Sequence, residues 1–253
     1  MVQSYVLGDS MTLSEFFKAH NKAAIAFSGG VDSAYLLHAA MEAGCDIKAY
    51  FIKTPFQPAF ELEDAKKLCP HVTVLELDIL QFAEVASNPD NRCYYCKKHL
   101  FSHLKQQADT DGYDEIWDGT NASDSYENRP GMRALEELGV LSPLRLCSLK
   151  KEDIREFSER AGLFTWNKPA YACLATRIPT GIRIDRNTLS KIEAAEGALY
   201  ALGYRDLRVR VFHSAARLQL PLDQFPTGKD EYIRIQTALK PWFSPVLLDL
   251  EGR

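Results

Sequence analysis

A short apolar run, Lys22–Phe27 (KAAIAF), ends in Ser28-Gly29-Gly30-Val31-Asp32-Ser33. It passes without a linker into AYLLHAAMEAG, whose apolar positions recur at helical spacing up to Gly44. Strand, glycine turn and helix in direct succession constrain the fold strongly, because the strand must be buried on both faces and the helix must pack back across it. The unit then recurs. Ile47–Ile52 reads as a second strand, Glu61–Leu68 as a helix closed by Cys69-Pro70, and Val72–Leu77 as a third strand. Asp90–Gln107 reads as a helix, and Glu115–Trp117 as a fourth strand running into Asp118-Gly119-Thr120-Asn121. Arg133–Leu138 and Lys151–Ala161 are further helices, with Ser148 the expected N-cap of the latter. Upstream, Ser10 opens an amphipathic stretch with Leu13, Phe16 and Phe17 on one face and a stop near His20. This alternation predicts an α/β fold with a doubly wound parallel sheet.

The texture changes after a loop at Pro169–Gly181. Thr188–Leu202 is helical, Leu207–Phe212 and Arg217–Leu220 read as a strand pair around a turn at His213–Ala216, Asp230–Leu239 is helical, and Pro245–Leu250 is a last strand. That order predicts a smaller α+β domain, half of a ferredoxin-like unit. With 253 residues the chain exceeds the usual single domain of about 100–200, and the division expected is 1–170 and 182–253. No apolar run approaches the ~18–20 residues that span a bilayer, and MVQSYVLGDS lacks a signal peptide's basic start and apolar core. Six cysteines in a chain this long do not make a disulfide scaffold, which predicts a cytoplasmic protein. A net charge of −4 gives no basic footprint for nucleic acid.

The placement of SGGVDS after a strand and at the opening of a helix gives it chemical meaning. Glycines let the backbone approach a phosphate closely. Amides at a helix start, with the positive end of the macrodipole, favour an anion. Ser28 and Ser33 add hydroxyls, and Asp32 could hold a Mg²⁺ bound to the phosphates. The plain alternative is a tight turn with no ligand. No Gly-Lys-Ser/Thr follows, so the motif is not a Walker A loop. It resembles the loop of the PP-loop ATP-pyrophosphatases, which grip the β,γ-phosphates of ATP and leave the α-phosphorus open to attack, with pyrophosphate departing. That resemblance sets the ATP chemistry and not the acceptor.

Cys93-Tyr94-Tyr95-Cys96 is a CxxC, and Cys173 lies in YACLATR (Tyr171–Arg177). A lone CxxC suits half a zinc site, a redox pair or two core thiols, and no fourth zinc ligand of suitable spacing is evident. If the three thiols converge beside the ATP site, they could ligate three irons of a 4Fe–4S cluster and leave the fourth open for an exchangeable ligand such as sulfide. Cys45, Cys69 and Cys147 sit among apolar residues and are expected to be buried small hydrophobes.

Three further segments carry a second resemblance: NRCYYCKKHLF (Asn91–Phe101), DGTNASDSYENRPGMRALEELGVLSPL (Asp118–Leu144) and WNKPAYACLATRIPTG (Trp166–Gly181). With SGGVDS, and on through EAAEGALYALGY, LRVRVFH and LLDLEGR, they resemble the LarE family of ATP-dependent sulfur transferases over nearly the whole chain. The resemblance implies adenylylation of a carboxylate of pyridinium-3,5-biscarboxylic acid mononucleotide, a small-molecule nucleotide substrate. Conversion to a thiocarboxylate follows, on the way to the nickel-pincer nucleotide. It further implies a homo-oligomer, hexameric in known members, and ATP, Mg²⁺ and, in members with three cysteines, a 4Fe–4S cluster as cofactors. Other members sacrifice one cysteine, matched by Cys173, and leave dehydroalanine.

Carried over residue by residue, Ser28, Gly29, Gly30, Asp32 and Ser33 match the ATP loop, and Gly119, Thr120 and Asn121 match a second loop near the nucleotide. Cys93, Cys96 and Cys173 match the metal ligands. Arg208 and Arg210 match an arginine pair for the substrate phosphate; alternating on a strand, they share a face. Glu196 matches an acidic position near the substrate. Lys97 and Arg177 flank the cysteine motifs and could neutralise ATP or the developing oxyanion. A further acidic residue has only Asp223 as a candidate. The competing readings are a tRNA thiolase, disfavoured by the net charge, and a non-catalytic ATP or metal sensor.

Overall fold

The computed structural model describes residues 11–125 and 130–253. In chain order the helices are α1 (Leu13–Ala19), α2 (Val31–Glu42), α3 (Ala59–Leu68), α4 (Ala83–Ala86), α5 (Arg92–Thr110), α6 (Pro130–Glu137), α7 (Pro143–Leu146), α8 (Lys151–Arg160), α9 (Arg186–Ala201) and α10 (Lys229–Leu239). The strands are β1 (Lys22–Ala26), β2 (Asp46–Lys53), β3 (Thr73–Glu76), β4 (Ile116–Trp117), β5 (Arg208–Phe212), β6 (Ala215–Gln219) and β7 (Val246–Leu248). They divide into two units, the first comprising the described residues up to Lys53 with Ala59–Leu77 and Cys93–Lys168, the second Thr54–Pro58, Asp78–Arg92 and Pro169–Arg253.

The first unit holds a four-stranded parallel sheet in the order β3-β2-β1-β4. In β1, Ala23 and Ile25 turn toward one layer with Phe16 and Phe17 of α1, Leu36 and Ala40 of α2 and Ile154 of α8. Ala24 turns to the other, with Phe101, Leu104 and Ala108 of α5 and Met132 and Leu135 of α6. Successive side chains of a strand point to opposite faces, so an unbroken apolar run is what a strand covered on both sides requires. Three alanines in β1 leave room for helices to lie close. Ile25 is fully buried, which stabilises the fold by roughly 1.5–3 kcal/mol. The α/β doubly wound reading of the sequence is therefore the observed one. β2 and β3 lie to one side of β1 and β4 to the other, so the strand order, not the strand direction, reverses between β1 and β4, the position where such sheets form a crevice at the strands' carboxyl ends.

Local differences from the sequence reading have physical causes. α1 is capped by Thr12, whose hydroxyl accepts from Glu15 N (3.3 Å) while the Glu15 carboxylate accepts from Thr12 N (2.8 Å); the start expected at Ser10 lies outside the described residues. Ser148 does not cap α8. It takes a left-handed φ of 58° in the turn that ends α7, a helix not anticipated, and Lys150 stands at the N-cap with its amide donating to Asp153 Oδ2 at 2.9 Å. Of the three cysteines expected in the core only Cys147 is buried; Cys45 and Cys69, at element ends, are half-buried against it. Burial raises the pKa of all three thiols.

The second unit pairs β5 and β6 antiparallel and β6 and β7 parallel, with α10 as the crossover between the last two. The β5–β6 turn is His213-Ser214, shorter than the turn expected. Ala215 and Ala216 belong to β6 because both are buried. The loop after Pro169 folds into a single 3₁₀ turn at Leu174–Arg177, anchored by fully buried Leu174 and Ala175. Leu174 N donates to Phe56 O at 2.9 Å and Gly181 N to Asn88 O at 2.8 Å, so the 54–58 and 78–92 segments complete this unit.

Candidate active site

In the first unit the chain leaves β1 at Ser28 and enters α2 at Val31. Gly29 has a φ of 71°, and a Cβ there would stand 3.1 Å from Ala65 N of α3, so the turn requires glycine on both counts. The hydroxyls of Ser28 and Ser33 hold the loop together. They lie 3.0 Å apart, Ser33 Oγ accepts from Ser28 N (3.2 Å) and donates to Gly30 O (3.2 Å), and Ser28 Oγ accepts from Gly30 N (3.3 Å). First-turn amides of α2 have no carbonyl within the helix to bond, while the serine side chains bond within the loop and hold its shape.

β4 delivers the second segment beside it. The buried Asp118 carboxylate accepts from Thr120 N (3.2 Å), Thr120 Oγ1 (2.5 Å) and Ser142 Oγ (2.6 Å), which fixes Gly119-Thr120-Asn121. A Cβ on Gly119 would sit 2.8 Å from Ser33 N, so only glycine leaves that amide approachable. Asn121 Nδ2 donates to Asp32 Oδ1 at 3.2 Å, and Lys151 Nζ, from the first turn of α8, to Asp32 Oδ2 at 2.5 Å. The structure thus gathers Ser28, Gly29, Gly30, Asp32, Ser33, Gly119, Thr120 and Asn121. Sequence reasoning missed Lys151 and passed over Asp118. Lys151 sits within an ordinary charged helix start, and no motif marked it.

Cys93 and Cys96 are three residues apart on α5 and so lie on one helix face. Cys93 is exposed and Cys96 half-buried. Between them, Tyr94 ties α5 to α6: its hydroxyl donates to Glu137 Oε2 at 2.7 Å and Arg133 lies 4.1 Å over its ring. Lys97 runs along α6, where a Cβ on Gly131 would meet its Cδ at 2.8 Å, and its ammonium lies 5.9 Å from the centre of the Phe101 ring.

In the second unit, Cys173 stands at the start of the 3₁₀ turn, half-buried. Arg177 and Glu196 are each 1% exposed and pair twice, Nε to Oε1 at 2.9 Å and Nη2 to Oε2 at 3.1 Å. Glu196 also accepts from Tyr171 OH (2.6 Å) and Val209 N (2.9 Å). The other arm of Arg177 holds the cysteine loop, Nη1 donating to Ala172 O (2.7 Å), Cys173 O (3.3 Å) and Thr176 Oγ1 (2.9 Å). Burial works against the Arg177 charge, but Glu196 outweighs it and the pKa is raised. Burial, then the Glu196 charge, pushes the Tyr171 phenol far up, so it remains a donor. Arg208 and Arg210 do share a face, and both reach the same loop: Arg208 Nη2 donates to Ala170 O (2.7 Å) and Arg210 Nη1 to Thr176 O (2.6 Å). Asp223 lies in a 3₁₀ turn after β6. Among the described residues no group of three or more His, Cys, Asp or Glu side chains is placed to hold a metal ion, and no helix is long and apolar enough to cross a membrane.

No family model matches the chain. Individual relatives do. The pyridinium-3,5-bisthiocarboxylic acid mononucleotide synthase of Lactiplantibacillus plantarum is 31% identical over 252 residues, 95% of this chain and 90% of that protein. The chain belongs to the LarE family. Uncharacterized proteins of Synechocystis, 36% identical over 95% of this chain and 92% of theirs, and of Methanocaldococcus jannaschii, 33% over 88% and 87%, are similar along the same length. The tRNA-specific 2-thiouridylase of Thermotoga maritima is 25% identical over 193 residues, 58% of this chain and 54% of its own. As a LarE-family member of the PP-loop superfamily, this chain is an ATP-dependent sulfur-transferring enzyme.

Proposed function

We propose that the chain converts a carboxylate of a pyridinium dicarboxylate mononucleotide into a thiocarboxylate, within the synthesis of a nickel-pincer nucleotide. The observation that carries the ATP half is the pairing of SGGVDS and Gly119–Asn121 at the sheet's reversal, with Asp32 between Asn121 and Lys151. The amides at the start of α2 take the β,γ-phosphates, and Asp32 takes their Mg²⁺, a hard cation suited to carboxylate oxygen. The substrate carboxylate then attacks the α-phosphorus; the bond to the β-phosphate oxygen breaks, and pyrophosphate leaves. A sulfur nucleophile attacks the resulting acyl-adenylate at its carbonyl carbon and AMP departs, with Lys97 as the candidate cation for the developing oxyanion. Residues 182–253 carry the acceptor's phosphate on Arg208 and Arg210. The protein works in the cytoplasm as a homo-oligomer.

For the sulfur source, the reading favoured here is a 4Fe–4S cluster held by Cys93, Cys96 and Cys173. Cys93, Cys96 and Cys173 would hold it by three thiolates, and it would supply one iron open to sulfide. The support is the Cys93–Cys96 pair on one face of α5, which a sacrificial mechanism would leave without a task. Anaerobic purification with iron and sulfide analysis, followed by turnover with ATP, Mg²⁺ and the pyridinium substrate, tests both halves. AMP and pyrophosphate are expected, with repeated thiocarboxylate formation when sulfide is supplied and Cys173 intact by mass spectrometry. Each of Cys93→Ala, Cys96→Ala and Cys173→Ala should lose sulfur transfer and keep adenylylation. ADP as the nucleotide product would sink the ATP assignment. One dehydroalanine per turnover at position 173, with activity kept in the Cys93→Ala/Cys96→Ala double variant, would return the chain to the sacrificial group.

A further inference from the structure

In the second unit Arg177 takes both oxygens of the fully buried Glu196 carboxylate, while the guanidinium groups of Arg208 and Arg210 are bonded elsewhere. Arg208 is 3% exposed, yet the nearest carboxylate oxygen, on Asp206, lies at 3.8 Å and is shared with Arg253 at 2.7 Å. Its hydrogen bonds go to the carbonyls of Leu207 (2.6 Å) and Ala170 (2.7 Å), and its guanidinium lies 4.9 Å from the Tyr171 ring centre. Arg210 bonds Gln219 Oε1 (2.5 Å) and Thr176 O (2.6 Å), also neutral acceptors, and reaches Asp249 only through Gln219 Nε2, 2.8 Å from that carboxylate. Burial, then the neighbouring Arg177 charge, lowers the pKa of both arginines. Positive charge has been taken out of water here and given carbonyls in return. A phosphate offers these guanidinium groups an opposite charge and bidentate acceptors, which a neutral carbonyl cannot, so an entering phosphate would draw these donors away.

The carbonyls they hold are not arbitrary. Ala170 and Thr176 stand on either side of Cys173, three residues away in each direction. We propose that Arg208 and Arg210 act as an anion-operated latch on the Cys173 loop. Without substrate they fasten the loop by its Ala170 and Thr176 carbonyls; the phosphate monoester of the acceptor takes the same donors and loosens both ends of it. Arg177, committed to Glu196, keeps its grip on Ala172 and Cys173, so the loop shifts as a piece and does not unravel. The consequence is that Cys173 moves in response to the acceptor, which keeps sulfur chemistry waiting until there is something to sulfurate. This inference rests on the assignment of Arg208 and Arg210 to the acceptor's phosphate.

The test is amide hydrogen exchange of the full-length protein, read on peptides covering residues 169–178, in inorganic phosphate against chloride at equal ionic strength, with phosphate binding followed by calorimetry. Phosphate is expected to speed exchange of the loop roughly 3–10-fold, the protection lost with about one hydrogen bond. Arg208→Ala and Arg210→Ala should exchange fast in chloride and respond no further to phosphate. The wild-type comparison stands even if a variant fails to fold. Phosphate that binds more weakly to Arg210→Ala but leaves wild-type loop exchange unchanged or slower overturns the latch and spares the phosphate assignment. Acceleration of equal size in the variants overturns the latch, since the anion then acts elsewhere. Absence of binding, or binding indifferent to both substitutions, overturns the latch and the assignment together.

Discussion

The SGGVDS loop after β1 and the cysteine loop before α9 are both short, glycine- or alanine-rich turns, yet they are built on opposite principles. The first turns on backbone conformation: its shape depends on Gly29 and Gly119, the first-turn amides of α2 have no carbonyl within the helix to bond, and its serine hydroxyls bond within the loop. The second is held by side chains, Glu196 arriving from α9, Arg208 and Arg210 from β5, and the loop's own Arg177 tying its backbone to Glu196. Damage should therefore appear as lost chemistry at the first and as lost stability at the second. The largest expected effect is that of Glu196→Ala, which strips a 1%-exposed Arg177 of its counter-charge and leaves Tyr171 OH and Val209 N without their acceptor. Breaking a buried pair by removing one partner costs about 3–5 kcal/mol, measured as a fall in the urea midpoint at unchanged slope. An unchanged midpoint with a raised substrate requirement would instead make Glu196 the substrate contact that the family resemblance implies, and the contrast would collapse.

Asp32→Ala should give the opposite pattern. Its carboxylate is partly exposed and its ion pair with Lys151 lies where solvent screens it, so the stability change should stay within about 1 kcal/mol. Pyrophosphate release should fall on the order of 10³-fold, as when a group aimed at developing charge is removed. A destabilisation matching that of Glu196→Ala would mean that Asp32 is a structural member of the β1–β4 crevice and not the Mg²⁺ ligand proposed.

The same difference decides what was legible in the sequence. The turns at SGGVDS and DGTN were legible because a glycine just after a strand leaves a local signature. The four parallel strands were legible for a related reason, since KAAIAF and IKAYFI bury both faces and carry it in their composition. The cysteine loop's supports were not legible as supports. Glu196 lies 19 residues from Arg177 and Arg210 lies 34 from Thr176, and an arginine on a strand reads the same whether it meets a phosphate or a carbonyl. Ser148 misled for the converse reason: a serine before a helix has the composition of a cap, while its backbone belongs to the turn ending α7. Lys151 carried no signal, because a lysine in the first turn of a helix opposes the helix dipole and looks like a surface accident.

That lysine gives the smallest and sharpest test. Lys151 Nζ lies 2.5 Å from the Asp32 oxygen proposed for Mg²⁺, so ammonium and metal compete for one carboxylate. On the proposed assignment, Mg²⁺ arriving with ATP should displace Lys151 and leave it available to the phosphates. Lys151→Met removes both the competitor and the later phosphate partner, and its two consequences have opposite sign. Half-saturation by Mg²⁺ should move to lower concentration, because Asp32 no longer has to exchange an ion pair. Turnover should fall about tenfold, the cost of one solvent-screened charge-assisted contact, and Lys151→Arg should recover part of it. Stability should change by less than about 1 kcal/mol. A purely structural lysine would lose stability and leave the Mg²⁺ requirement where it was. That outcome would make Asp32 and Lys151 a structural pair like Glu196 and Arg177 and erase the distinction between the two loops.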